Sequence, residues 1–120
     1  MLHALLVGFP AKALPRTRQA GETQSIMEFE WDGNKRRINL QKHGLDFADA
    51  YRAFTEDAFI IADDREDYGE DRYILLGLMR ERIVVIVFTV RDDVIRVISM
   101  RQANKRERKS YVHRRCGTNR

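Results

Sequence analysis

"RYILLGLMRERIVVIVFTVRDDVIRVISM" spans residues 72–100, and its reading decides the fold. Three apolar runs, 72–80, 82–90 and 94–100, are separated by brief charged interruptions. Runs of Ile, Val and Leu at this length read as strands, and gaps this short leave room only for tight hairpins. Residues 83–88 are apolar at every position, so both faces of the middle strand are expected to be covered. The expected loops are Glu81-Arg82 and Asp92-Asp93, with Arg80 facing Ile83 and Arg91 facing Val94. Arg72 then lies opposite Arg91, Ile74 opposite Thr89, and Thr89 opposite Arg96. Alternation puts Arg72, Thr89, Arg91 and Arg96 on one face at one end of the sheet. Three converging guanidiniums repel one another unless an anion sits among them, and a phosphate matches their planar forks. The competing account pairs these arginines with Asp63, Asp64, Asp67, Glu70 and Asp71. A register slip of one residue scatters the set over both faces.

Upstream, "MEFEW" (27–31) alternates as a short strand. "DGNKRRINLQKHG" (32–44) reads as a helix with Ile38 and Leu40 as its apolar face, Gly44 as the C-terminal glycine, and Lys42 and His43 in the last turn. "LDFADAYRAF" (45–54) begins a second helix with Asp46 as N-cap and Phe47, Ala50, Tyr51 and Phe54 on one face. "AFIIAD" (58–63) is a strand and "DREDYGED" (64–71) an acidic loop around Gly69. Past the hairpins, a basic helix over about 103–114 keeps Ala103 and Tyr111 for contact. The expected order is βααββββα: an α+β fold whose sheet is antiparallel-dominated, with two N-terminal helices and one C-terminal basic helix.

A chain of 120 residues builds one core. Its net charge of +4 conceals three regions. Residues 101–120 carry eight Lys/Arg against one acid, residues 1–26 three against one, and residues 27–100 eleven against sixteen. An acidic body with a basic C-terminal element points to a polyanion or an acidic protein partner. Residues 1–26 hold both prolines and no acid before Glu22, fit neither a secretory nor a transit signal, and are read as a disordered or non-native extension before a natural start at Met27. The expected domain is 27–114, with 115–120 a frayed tail. No apolar run reaches the roughly 20 residues of a membrane-spanning helix. One cysteine, Cys116, forms no internal disulfide and suits a reducing cytoplasm. His3, His43 and His113 are too scattered for a metal site, and there is no glycine-rich phosphate loop, so no cofactor is expected. Trp31 is a candidate base-stacking ring, with packing under the first helix the commoner use.

"FEWDGNKRRINLQKHGLDFADAYRAF", "EDYGEDRYILLG" and "ISMRQANKRERKSY" together resemble the BrnT-type toxins of bacterial type II toxin–antitoxin systems, over about residues 28 to 111. The resemblance implies a RelE-like fold and a metal-independent endoribonuclease that arrests translation. It also implies a ribbon-helix-helix antitoxin encoded alongside, which neutralises the toxin and binds promoter DNA in complex with it. A homodimer or a heterotetramer with the antitoxin is compatible with a sheet that is apolar on both faces.

Cleavage of this kind uses the 2′-hydroxyl as nucleophile on the adjacent phosphate. It needs a base, cations for the developing charge and an acid for the leaving oxygen. Arg72, Arg91 and Arg96 are the candidate cations. Glu70 or His43 is the candidate base, and Lys42, His43 or Tyr111 the candidate acid. Capping alone accounts for His43 and Lys42 and is the commoner role, and an ion pair with Arg72 alone accounts for Glu70. Arg101, Lys105, Arg106, Arg108, Lys109 and Tyr111 are the candidate RNA contacts, with Arg114 and Arg115 beside them. Arg101, Arg106 and Arg108 are also the expected seat of the antitoxin. Two other readings use the same residues: a non-catalytic nucleic-acid-binding module, and a related toxin scaffold acting on a protein target.

Overall fold

A computed structural model of the protein describes residues 18–20 and 24–116. Five strands form the main sheet: β3 (Phe29–Trp31), β4 (Phe59–Ala62), β5 (Tyr73–Met79), β6 (Arg82–Arg91) and β7 (Val94–Gln102), in the order β3-β7-β6-β5-β4. The ladders are antiparallel except for β3, which runs parallel to β7. Two short strands, β1 (Arg18–Ala20) and β2 (Gln24–Ile26), form a separate antiparallel pair. The rest of the segment read as an N-terminal extension, and residues 117–120, lie outside the described residues. The fold is α+β with three helices: α1 (Gly33–His43), a 3-10 helix (Phe47–Ala53) and α2 (Lys105–Cys116).

The second hairpin turns at Asp92 and Asp93, both at positive φ (50° and 66°), with Arg91 opposite Val94 and Thr89 opposite Arg96 as expected. The first differs. Met79 pairs with Arg82, so the loop is Arg80-Glu81, and Arg80 takes φ 62°, the sign a tight hairpin turn needs. No Gly or Asn marks that turn in the sequence. Ile74 therefore lies opposite Val87, not Thr89, and Arg72 is not opposite Arg91. The slip is two residues, so the side chains of β5 keep their expected face. A bulge opposite Val87 and Phe88 shifts alternation in β7 and brings Met100 to the face of Ile95 and Val97.

One face of the sheet carries the core. Leu75, Ile86, Phe88, Ile95, Val97 and Met100 are buried there with Phe47, Ala50 and Phe54. Tyr51, expected among them, is 52% exposed. The physical reason is the tighter helix: with three residues per turn, Phe47, Ala50 and Ala53 fall on the inward face and Tyr51 turns outward. Asp46 caps this helix by accepting from the Ala48 N–H at 3.0 Å.

Helix α1 departs from its expected face. Ile38 and Leu40 are 52% and 42% exposed, while Asn39 is buried. Asn39 donates to the carbonyls of Leu45 (3.2 Å) and Met100 (2.9 Å) and accepts from the Met100 N–H (3.2 Å). A polar clamp, not an apolar stripe, docks α1 on β7. Gly44 ends the helix as expected, its φ of 72° closing the last turn onto Leu40, and Asp32 proves to be the N-cap, accepting from the Lys35 N–H.

On the opposite face α2 packs over Phe59 of β4, whose ring meets Tyr111 edge-on at 5.6 Å between centroids. Asn104 and Glu107 cap this helix reciprocally, each side chain accepting from the other's backbone N–H at 2.8 Å. This cover is partial. Val85 is buried, but Ile83 and Val87 of the middle strand are only half-buried, so the expectation of two fully covered faces holds for one.

Candidate functional site

The acidic loop between β4 and β5 builds the site. Asp63 ends β4 with its side chain wholly out of solvent and accepts a two-pronged pair from Arg65 at 2.6 and 2.7 Å. That hydrogen-bonded guanidinium holds the Asp63 carboxyl below its ordinary range. The loop closes where the Asp63 N–H donates to the Arg72 carbonyl at 2.7 Å. Gly69 supplies the required positive φ of 76°. The buried Thr89 hydroxyl then donates to the Asp71 carbonyl at 2.5 Å. Glu70 and Arg72, on either side of Asp71, are thereby tied to β6.

Glu70 receives two guanidiniums. Arg91 donates to Oε1 at 2.9 Å and Arg72 to Oε2 at 3.2 Å. The hydrogen bond from Arg91 first, and that from Arg72 after it, hold the Glu70 carboxyl below its ordinary range, against the opposing effect of partial burial. The Arg72 guanidinium also lies 4.2 Å from the ring centroid of Tyr68, a cation–π contact that fixes its plane. Arg91 is more exposed than Arg72. Both guanidiniums are thus engaged by one carboxylate at the end of the sheet, the ion pairing that the competing account expects for Arg72 and Arg91.

The other expected members of this cluster are elsewhere. Arg96 stands across from Thr89, but its guanidinium pairs with Glu30 of β3 at 3.2 Å, because Glu30 is its direct cross-strand neighbour. The cluster therefore holds two arginines, not three. Lys42 and His43 end α1, and the following Gly44 and Leu45 lie beside Met79, Arg80 and Arg82. That is the far end of β5 from Arg72, roughly 20 Å away at about 3.3 Å per residue. His43 and Lys42 do not share a site with Glu70.

The basic helix is also partly committed. Arg101 forms a two-pronged pair with Glu107, both bonds 2.8 Å, which raises the arginine's pKa and lowers the acid's. Arg108 donates to the Ala103 carbonyl at 2.9 Å, Arg115 to Asp57 at 2.7 Å, and Arg114 lies over the Phe59 ring at 5.4 Å. Tyr111 is buried, so it is core and not an RNA contact. Burial pushes its phenol up, and its hydroxyl has no hydrogen-bond partner among the described residues. Lys105, Arg106 and Lys109 remain exposed with no ion pair among the described residues. Trp31 packs against the core with Arg36 over its ring at 6.0 Å.

Three contributors escape the sequence reading: Tyr68 behind Arg72, Glu30 as the partner of Arg96, and Asn39. Tyr68 is the lone aromatic of an otherwise acidic loop, a signal that was there to be used. Among the described residues no three His, Cys, Asp or Glu side chains gather as a cation site, and no helix is long and apolar enough to cross a membrane.

This α+β scaffold, with Arg72 and Arg91 joined on Glu70, has a match among known protein families. Residues 31–107 match the family described as "Ribonuclease toxin, BrnT, of type II toxin-antitoxin system". The chain belongs to that family. No curated protein matches it.

Proposed function

We propose that the chain is a metal-independent endoribonuclease that arrests translation in the cytoplasm and is neutralised by a ribbon-helix-helix antitoxin. The observation that carries the reading is the convergence of Arg72 and Arg91 on the single carboxylate of Glu70. A phosphate presents oxygens to two guanidinium forks much as that carboxylate does. An entering phosphate competes for both arginines and releases Glu70 beside the adjacent 2′-hydroxyl. Glu70, ionised at neutral pH, takes the hydroxyl proton as the 2′-oxygen bonds to phosphorus, and Arg72 and Arg91 stabilise the charge that grows on the pentacoordinate phosphorus. As the bond to the 5′-oxygen breaks, that oxygen takes its proton from solvent water. Arg96, held on Glu30, and Lys42 and His43, at the other end of β5, have no part in this step. Lys105, Arg106 and Lys109 hold the flanking RNA backbone.

Metal independence is supported by the two fixed guanidiniums, which already fill the charge-stabilising role. The test is incubation of purified chain with single-stranded RNA in excess EDTA. Attack by the 2′-hydroxyl gives fragments ending in a 2′,3′-cyclic phosphate, and that product is expected. RNA that binds yet stays intact, with or without added Mg²⁺, makes the chain a binding module and defeats the proposal.

A further inference from the structure

The face of the sheet that carries the arginine pair has a second feature. Between the cluster and α2 lies an open groove of about 220 Å³ lined by Phe59, Ile61, Ile74, Leu76 and Val85. Ile61 is 55% exposed, and β4, which carries it, is an edge strand of the sheet. Ile74 sits two residues from Arg72 on the same face of β5, so the groove runs up to the cluster. Its polar wall is Glu107, Ser110 and Arg114, and it is partly engaged. Both oxygens of Glu107 are taken by Arg101, one of them also by the Asn104 N–H, and Arg114 covers the Phe59 ring. A nucleobase would find no open ring to stack on among these lining residues. An apolar protein side chain would find a fitted seat.

We propose that this groove is the seat of the antitoxin, occupied by an apolar segment of that protein flanked by acidic residues. Charge complementarity selects the occupant: Lys105–Cys116 carries six Lys/Arg against one acid, and Arg114 forms the wall nearest the groove. A segment seated there overhangs Arg72 and Arg91, so neutralisation follows from closing the phosphate site rather than from contacts along the outer surface of α2. This inference rests on the reading of the chain as an antitoxin-neutralised ribonuclease.

Calorimetric titration of the folded chain with the purified antitoxin encoded beside it tests the proposal. Ile61→Glu places a negative charge in the groove at an exposed position, and Ile38→Glu on α1 is the control. Affinity is expected to fall at least tenfold for Ile61→Glu and to stay unchanged for Ile38→Glu, with both variants cleaving RNA at the wild-type rate. Hydrogen exchange should show the Phe59–Ala62 amides protected by the antitoxin. Unchanged affinity in a folded Ile61→Glu chain overturns the proposal. So does a selective loss of RNA cleavage, which makes the groove an RNA subsite, or conversion of a wild-type dimer to a monomer, which makes it a self-association face. A wild-type chain that cleaves no RNA and binds no antitoxin defeats the functional reading itself.

Discussion

Helix α2 and the loop that ends at Arg72 both present arginines on the same face of the sheet, yet they use them in opposite ways. In α2 the charge is dense and dispersed: Arg108, Arg114 and Arg115, with Arg101 at the end of β7 beside them, each have a local partner that serves the fold. In the loop the charge is sparse and convergent, with two guanidiniums on one carboxylate that Thr89, Tyr68 and Asp63 hold in place through the loop. Charge density measures how strongly a surface attracts a polyanion, whereas convergence measures whether it can stabilise charge at one atom. On the proposed reading the first supplies binding and the second supplies rate.

Removing the convergent arginines is the harshest way to break this contrast. Arg72→Ala or Arg91→Ala is expected to lower RNA cleavage roughly 10²–10³-fold, about 2–4 kcal/mol of transition-state stabilisation, with RNA affinity nearly unchanged. Growth arrest on expression reads this out, with circular dichroism confirming the fold. Full toxicity in both folded variants makes the pair structural.

Glu70 sharpens the same point through pH. Its pKa in the free chain is lowered, so on the proposed reading kcat/KM, which reports the chain before RNA displaces the arginines, should hold below the ordinary carboxylate range near about 4.3, falling only as the pH passes through the lowered value. Arg91→Ala removes the largest cause of that lowering, so the acid limb of the residual activity should move to higher pH. Glu70→Gln should cost roughly 10²-fold and abolish the limb. A limb that ignores both substitutions belongs to another group.

The parts legible in the sequence were those fixed by local patterns. Short apolar runs mark the β5–β7 meander, and Gly44 and Asp46 mark helix ends because capping is local chemistry. What was lost depended on longer reach. Arg80 enters positive φ with no glycine to announce it, so the first hairpin was placed two residues out of register. Arg96 was assigned by face alone, and only the parallel strand β3, distant in sequence, shows that Glu30 claims it. Tyr111 and Lys105 look alike as members of a basic helix, and only the ring of Phe59 separates core from surface. Alternation places Arg72 and Arg91 on one face, and their shared pairing with Glu70 is the ionic alternative that the acidic loop offers. The exclusion of His43 needed the length of β5.

Asn39 offers a calibration that touches neither region. Asn39→Leu strands the Leu45 and Met100 backbone groups it now satisfies, at a cost of about 2–3 kcal/mol of stability. Chemical denaturation should show the loss, while the folded fraction cleaves RNA at the wild-type rate. A fall in that rate would show that α1 docking shapes the cluster after all.

The smallest effect belongs to the dispersed charge. Lys105 and Lys109 are exposed and bear no ion pair among the described residues, so their contribution to RNA binding is counterion release and little else. Lys105→Ala and Lys109→Ala should each weaken RNA affinity a few-fold at low salt and reduce the slope of log affinity against log salt by about 0.7, the value for one single-stranded phosphate contact. Cleavage at saturating RNA should not change, since neither ammonium reaches the reacting phosphate. The two substitutions should add, because the sites act independently and share no partner. Fluorescence anisotropy across a salt series measures the slopes. A loss of saturated rate comparable to that of Arg72→Ala would move the chemistry onto α2 and erase the distinction between the two surfaces.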